Sequence, residues 1–177
     1  MFKSVQEKEK IKERKKEKKE KKEREKLDKK TKKIMKREIS DILCDFNRQL
    51  PQIIKIVQKI ENNNTDIESF KRKLQIIRSV NPSYIMECCV DGLWEYKQKI
   101  IDRDTEFFIN MEYGEYLEGG ADEQLMTRII NLFKIRYREL SNCDAIFIWD
   151  RINTMLQYVI QYRIRTADYK NNKVYLE

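Results

Sequence analysis

The chain has 177 residues, with 38 Lys/Arg against 30 Asp/Glu, a formal net charge of +8, no histidine, 4 glycines and 2 prolines. Without histidine, every mechanism that uses imidazole as a base, as a nucleophile's helper or as a metal ligand is excluded. So little glycine and proline does not suit the turns of a β-sandwich or barrel, or the strand–helix turns of a doubly wound sheet, and the composition points to an all-α fold.

The charge is unevenly spread. Residues 1–40 hold 19 Lys/Arg and 9 Asp/Glu, whereas the remainder holds 19 and 21. A mildly acidic body therefore carries a basic arm, and attraction to anions is expected to lie in the arm. Residues 4–38 are almost all Lys and Glu, with no glycine or proline and with Ile11 and Leu27 isolated. Glu and Lys favour helix. Acid-to-base pairs at i,i+4 (Glu17–Lys21, Glu20–Arg24, Glu25–Lys29 and Asp28–Lys32) each add a few tenths of a kcal/mol. The segment reads as a solvated helix of up to ~50 Å or as a disordered arm. Lys12, Lys15, Lys16, Lys19, Lys22, Lys26, Lys29 and Lys33 are its candidate contacts to an anionic partner. The nine interleaved acids and the scarcity of arginine argue against a dedicated nucleic-acid arm. The lack of an aromatic or leucine face argues against a membrane-surface helix.

Apolar periodicity begins at residue 34: Ile34, Met35, Ile39, Ile42, Leu43, Phe46 and Leu50 recur every three or four positions. They predict an amphipathic helix that continues the arm and ends or kinks at Leu50. Pro51 fits the first turn of the next helix, whose stripe is Ile53, Ile54, Val57 and Ile60. Asn62–Asn64 is a turn, and Thr65 with Glu68 has capping-box spacing for a helix over about 66–79. Asn81–Pro82 opens a helix to about 101 that is apolar on more than one face and is expected to be central. A short helix lies within 102–113, followed by the glycine loop 114–121. Asp122 is placed to cap a helix to about 140, and Ser141 with Asp144 announces a last helix over 143–165. The runs 146–149 and 158–164 have strand-like composition, but the 3.6-residue period across more than twenty residues favours helix. The expected fold is an irregular bundle of six or seven helices, divided as a charged arm 1–38, a bundle 39–166 and a polar tail 167–177.

Chemistry is sparsely signalled. Asp102, Asp104, Glu106, Glu112, Glu115, Glu118, Asp122 and Glu123 gather around the glycine loop, but the glutamate–histidine pairing of di-iron bundles is impossible here. An oxygen-only Mg²⁺ or Ca²⁺ site is the remaining metal option, against a solvated acidic surface. The loop lacks P-loop or dinucleotide spacing. Cys44, Cys88, Cys89 and Cys143 show no CxxC spacing, and three of them are expected to be small buried hydrophobes. Trp94, Tyr96, Phe107, Phe108, Trp149 and Tyr162 read as core rather than as a base-stacking platform.

Within 41–163 the runs DILCDFNRQLPQI, SYIMECC, IIDRDTEFF, YLEGGADEQL and IFIWDRINTMLQYVI follow one another. This order resembles a group of small helical proteins encoded by large nucleocytoplasmic DNA viruses. The isoleucine-rich, alanine-poor composition fits an AT-rich genome of that kind. The loop reads LEGG where the group tends to have proline and glycine. Asp150–Arg151 stands where lysine and tyrosine are commoner. The resemblance implies a helical domain and a viral source, with no catalytic residues to carry over.

The expected function is a non-enzymatic interaction protein, a viral structural or assembly factor with a protein partner, whose basic arm contacts an anionic surface. The alternative is a nucleic-acid-binding accessory protein of viral transcription, replication or genome packaging. A third reading, an enzyme using the loop carboxylates, predicts a divalent metal that stabilises the fold. No cofactor, metal or catalytic residue is expected. An intracellular, reducing setting (cytoplasm or virion of an infected cell) follows from the absence of an apolar leader.

Overall fold

A computed structural model describes residues 2–61, 63–113 and 123–174. In chain order the helices are α1 (Phe2–Asn47), α2 (Gln49–Ile60), α3 (Thr65–Val80), α4 (Tyr84–Glu95), α5 (Lys97–Ile101), α6 (Thr105–Asn110), α7 (Glu123–Tyr137) and α8 (Asn142–Val174). There is no strand among the described residues, so the all-α expectation holds and the strand-like runs near Ile146 and Tyr158 are helical.

The long helix α8 is the spine, with α1, α2, α4 and α5 packed around it. Its inward stripe is Ile148, Trp149, Met155, Leu156 and Val159, of which Ile148, Leu156 and Val159 are fully buried. The spacing is that of one face of a 3.6-residue helix, and each such burial contributes roughly 1.5–3 kcal/mol. Opposite it sit Ile42 and Phe46 of α1, Ile54 of α2, Ile67 and Leu74 of α3, and Ile85 and Met86 of α4. The expected centrality of α4 is thus corrected. Tyr84, Cys88 and Trp94 are exposed on that helix, and α8 takes the middle.

Local chemistry sets the breaks. α1 ends at Asn47, where the buried Asn47 Nδ2 donates to Pro82 O at 2.8 Å and Gln49 Nε2 donates to Asp45 O at 2.9 Å. Pro51 then lies in the first turn of α2, where a missing N–H costs no helical bond. The predicted capping box is also corrected. Asn64 caps α3, its Oδ1 accepting from Asp66 N–H at 3.0 Å and Ile67 N–H at 3.2 Å, while Thr65 is already helical. Glu68 instead accepts from Gln58 of α2. The predicted helix 82–101 divides at Tyr96, and Pro82 stays in the preceding turn. Ser141 Oγ accepts from Asp144 N–H at 3.1 Å and donates to the Asp144 carboxylate at 2.9 Å, as the spacing anticipates.

The last helix runs on to Val174 instead of stopping at 165. No glycine or proline interrupts it, and its end leans on α1: Arg165 Nε lies 3.2 Å from Glu38 and Lys36 sits 6.0 Å over the Tyr169 ring. The glycine loop 114–121 and Asp122 lie outside the described residues. No helix of the described residues is long and apolar enough to cross a membrane.

Candidate functional site

The candidate lysines all lie on α1, which runs without a break from the charged segment into the core. Met35, Ile42 and Phe46 fix the side of α1 that faces the bundle. Lys16, Lys19, Lys22, Lys26, Lys29 and Lys33 are exposed, while the side chains of Lys12 and Lys15 lie outside those described. None of the four predicted i,i+4 pairs closes to an ion pair, and all their residues but the half-buried Asp28 and Lys32 are exposed.

Winding the sequence at about 100° per residue separates charges that alternate along the chain. In one arc of about 120°, every position from Lys12 to Arg37 is Lys or Arg. The arc takes in Lys12, Lys15, Lys19, Lys22, Lys26, Lys29 and Lys33, spaced alternately by three and four residues. It adds Lys18, Lys30, Lys36 and Arg37, which composition alone does not single out, and it leaves Lys16 on the flank. Glu13, Glu17, Glu20 and Asp28 fall on the opposite half, with Glu23 and Glu25 just beyond the two margins. The basic arc is centred on the side of α1 turned away from Met35, Ile42 and Phe46. The result is a lysine face about 40 Å long. The signal that finds it is the helical projection of the arm, not its composition.

A second feature lies inside the bundle. A half-enclosed cavity of about 460 Å³ sits between α2, α3, α4, α6, α7 and α8. Its walls include Ile53 and Val57, Phe70, Leu93, Phe108, Ile129 and Phe133, and Ile152 and Met155. Among the described lining residues the polar groups are few: Thr105, Tyr113, Lys134 and Tyr137. Trp149 Nε1 donates to Thr105 Oγ1 at 3.1 Å, and the Tyr137 hydroxyl is 3.5 Å from the same oxygen. Tyr113 Oη donates to Phe108 O at 3.0 Å, and burial pushes its phenol above the ordinary value, so it stays a donor. The half-buried Lys134 donates to Met111 O, and its ammonium lies 4.9 Å over the Tyr113 ring.

The aromatic residues divide. Tyr96, Phe107, Phe108 and Trp149 form a contiguous cluster with centroids 5.2–6.2 Å apart, as the core reading expects. Trp94 does not join it: it is 36% exposed, with Lys97 at 4.3 Å and Arg163 at 4.6 Å from its ring. The cysteine expectation is corrected too, since Cys44, Cys88 and Cys143 are exposed. Cys89 alone is packed, and burial, with Cys88 beside it, pushes its thiol up to about 12. Such a thiol stays protonated and unreactive.

Of the loop carboxylates, Glu115, Glu118 and Asp122 lie outside the described residues. Asp104 caps α6 by accepting from Phe107 N–H at 3.0 Å, and it holds Lys99 at 2.7 Å. Asp102 accepts from Gln98 at 2.9 Å. Among the described residues, no group of three His, Cys, Asp or Glu is placed to hold a metal ion. Comparison with protein-family models, curated proteins and solved structures found no match to this chain.

Proposed function

We propose that the chain is a non-enzymatic interaction protein whose helix α1 presents its lysine face to an anionic macromolecule. One observation carries this reading. The acids that alternate with lysines in the sequence fall outside one arc of the helix, leaving a one-sided cationic stripe. Interleaved acids would neutralise a flexible arm evenly, but on a continuous helix most of them sit across the rod from the basic arc, where they dilute its field less. The resemblance to small helical proteins of large DNA viruses makes a structural or assembly role in an infected cell the setting for this contact.

Nucleic acid is the second reading, favoured by the unbroken run of lysines along one arc of α1, even though arginine is scarce there. Such a face suits phosphate contacts and offers little for reading base edges. The binding expected is therefore sequence-independent and steep in salt. The test is titration of the full chain into labelled duplex DNA, duplex RNA and a polyglutamate peptide at about 50 and about 200 mM salt. Binding to at least one, weakening sharply with salt, supports the reading. Duplexes bound more tightly than polyglutamate favour nucleic acid, and no binding to any of the three at the lower salt rejects the proposal.

A further inference from the structure

The interior cavity presents a physical conflict that the basic helix does not address. An apolar space of about 460 Å³ is poorly suited to stand empty, because its lining forfeits van der Waals contacts. It is also a poor host for water, since its described walls are almost wholly aliphatic and aromatic and offer few polar partners. Its size falls within the range of small-molecule sites, which combine apolar walls with a few placed polar groups.

One of those groups is charged. Lys134 lines the cavity, and its partners among the described residues are a backbone carbonyl and an aromatic face, neither of which neutralises it. An ammonium has three donors, and the Met111 carbonyl takes one. A cation at the wall of a low-dielectric space attracts an anion more strongly than it would in water. The Tyr113 ring beneath it confines the ammonium to this side of the cavity.

We infer that the cavity is a binding site for an amphipathic small molecule of the fatty-acid class, with its chain among the α2, α7 and α8 side chains and its carboxylate at Lys134. The chain covers the apolar walls, and the carboxylate supplies a counter-charge that Lys134 does not find among the described residues. Binding there would also tie α7, which packs mainly on α3 and α2, more firmly to α8.

The test uses the full chain with dodecanoate and, as a neutral analogue, 1-dodecanol, both below micelle formation. Calorimetric titration and the melting temperature by circular dichroism are the readouts. Dodecanoate is expected to bind at one site per chain and to raise the melting temperature with concentration. Lys134→Met, which keeps the stem and removes the charge, is expected to weaken dodecanoate about tenfold while leaving 1-dodecanol unchanged. Ile129→Trp fills the cavity and is expected to abolish binding of both. Where that variant loses its helical signal, Met126→Trp serves in its place. A chain with Lys19, Lys22, Lys26 and Lys29 all changed to Gln should bind dodecanoate as before, which separates this site from the basic face of α1. Absence of binding by either probe overturns the inference. So does affinity untouched by both the Lys134 and the cavity-filling variants. Equal affinity for acid and alcohol overturns the role given to Lys134.

Discussion

Asp66 and Arg128 face each other across the seam between α3 and α7, the carboxylate accepting from Nε at 2.8 Å and from Nη2 at 3.0 Å. The two-pronged grip ties α7 to α3, and Arg136 adds a second link through Glu61. Arg128 holds the Asp66 carboxyl below its ordinary 3.8, chiefly by that hydrogen bond. Lys99, and then the Phe107 amide, do the same for Asp104. The Ser141 hydroxyl, and then Lys59, do so for Asp144.

A depressed carboxylate stabilises the fold fully above its unfolded value and loses that contribution as the pH falls through the lower folded value. The melting temperature is therefore expected to decline below about pH 5, with Asp66→Asn melting lower than the parent at neutral pH. The two curves should converge at the acid end, where the parent carboxylate is protonated as well. A gap that persists undiminished to about pH 2 would mean that Asp66 acts through packing rather than charge.

Phe46 is fully buried between α1 and its neighbours, whereas Leu27, on the same helix, is 65% exposed. Phe46→Ala is expected to cost about 3–5 kcal/mol in urea unfolding. Leu27→Ala should stay within about 0.5 kcal/mol. Comparable losses at both positions would place Leu27 in a packed interface, such as one with a second chain.

Asn64 and Thr65 test the start of α3. Because Asn64 Oδ1 serves two helix amides, Asn64→Ala is expected to lower stability by about 1 kcal/mol. Thr65→Ala should change little. The reverse order would restore the capping box that the Thr65–Glu68 spacing suggests.

Gly92 lies inside α4, and a methyl group added there would meet nothing within 4 Å. Gly92→Ala should therefore raise stability by about 0.5–1 kcal/mol, through lower unfolded-state entropy and better helix propensity. Destabilisation in chemical unfolding would show that α4 needs backbone freedom before its break at Tyr96.

Much of the bundle is legible in the sequence because apolar period and breakers agree there. Phe46, Ile54, Ile67, Leu74 and Leu156 stand inward as the periodicity expects, and Pro51 and Ser141 fall at helix starts. What is not legible is which of several apolar faces is covered. Ile34, Tyr84, Ile101, Ile146 and Ile164 sit on apolar-looking stripes yet are exposed, because a stripe wider than its neighbour leaves its margins in water. The end of α8 is hidden from the sequence because its polar last turns gain little from propensity alone and rest on Arg165 and Tyr169 meeting α1. The cavity cannot be read at all, since a void is a property of how unlike side chains meet. The lysine face can be read, but only by assuming the helix first.

That face makes the sharpest functional prediction, because it separates where a charge sits from how many charges there are. Lys19, Lys22, Lys26 and Lys29 lie within the basic arc, and Lys16, Lys21, Arg24 and Lys32 lie outside it. Changing either set to Gln removes the same total charge and keeps strong helix formers throughout. If α1 docks its basic side on duplex nucleic acid, the first set should lower the slope of log affinity against log salt by up to about 3–4, at roughly 0.9 for each phosphate no longer neutralised. The second set should leave most of that slope in place, because its positions fall along the flanks and the acidic half. Equal losses from both sets would mean that the arm attracts phosphate by net charge alone, and the orientation of α1 would then carry no functional meaning.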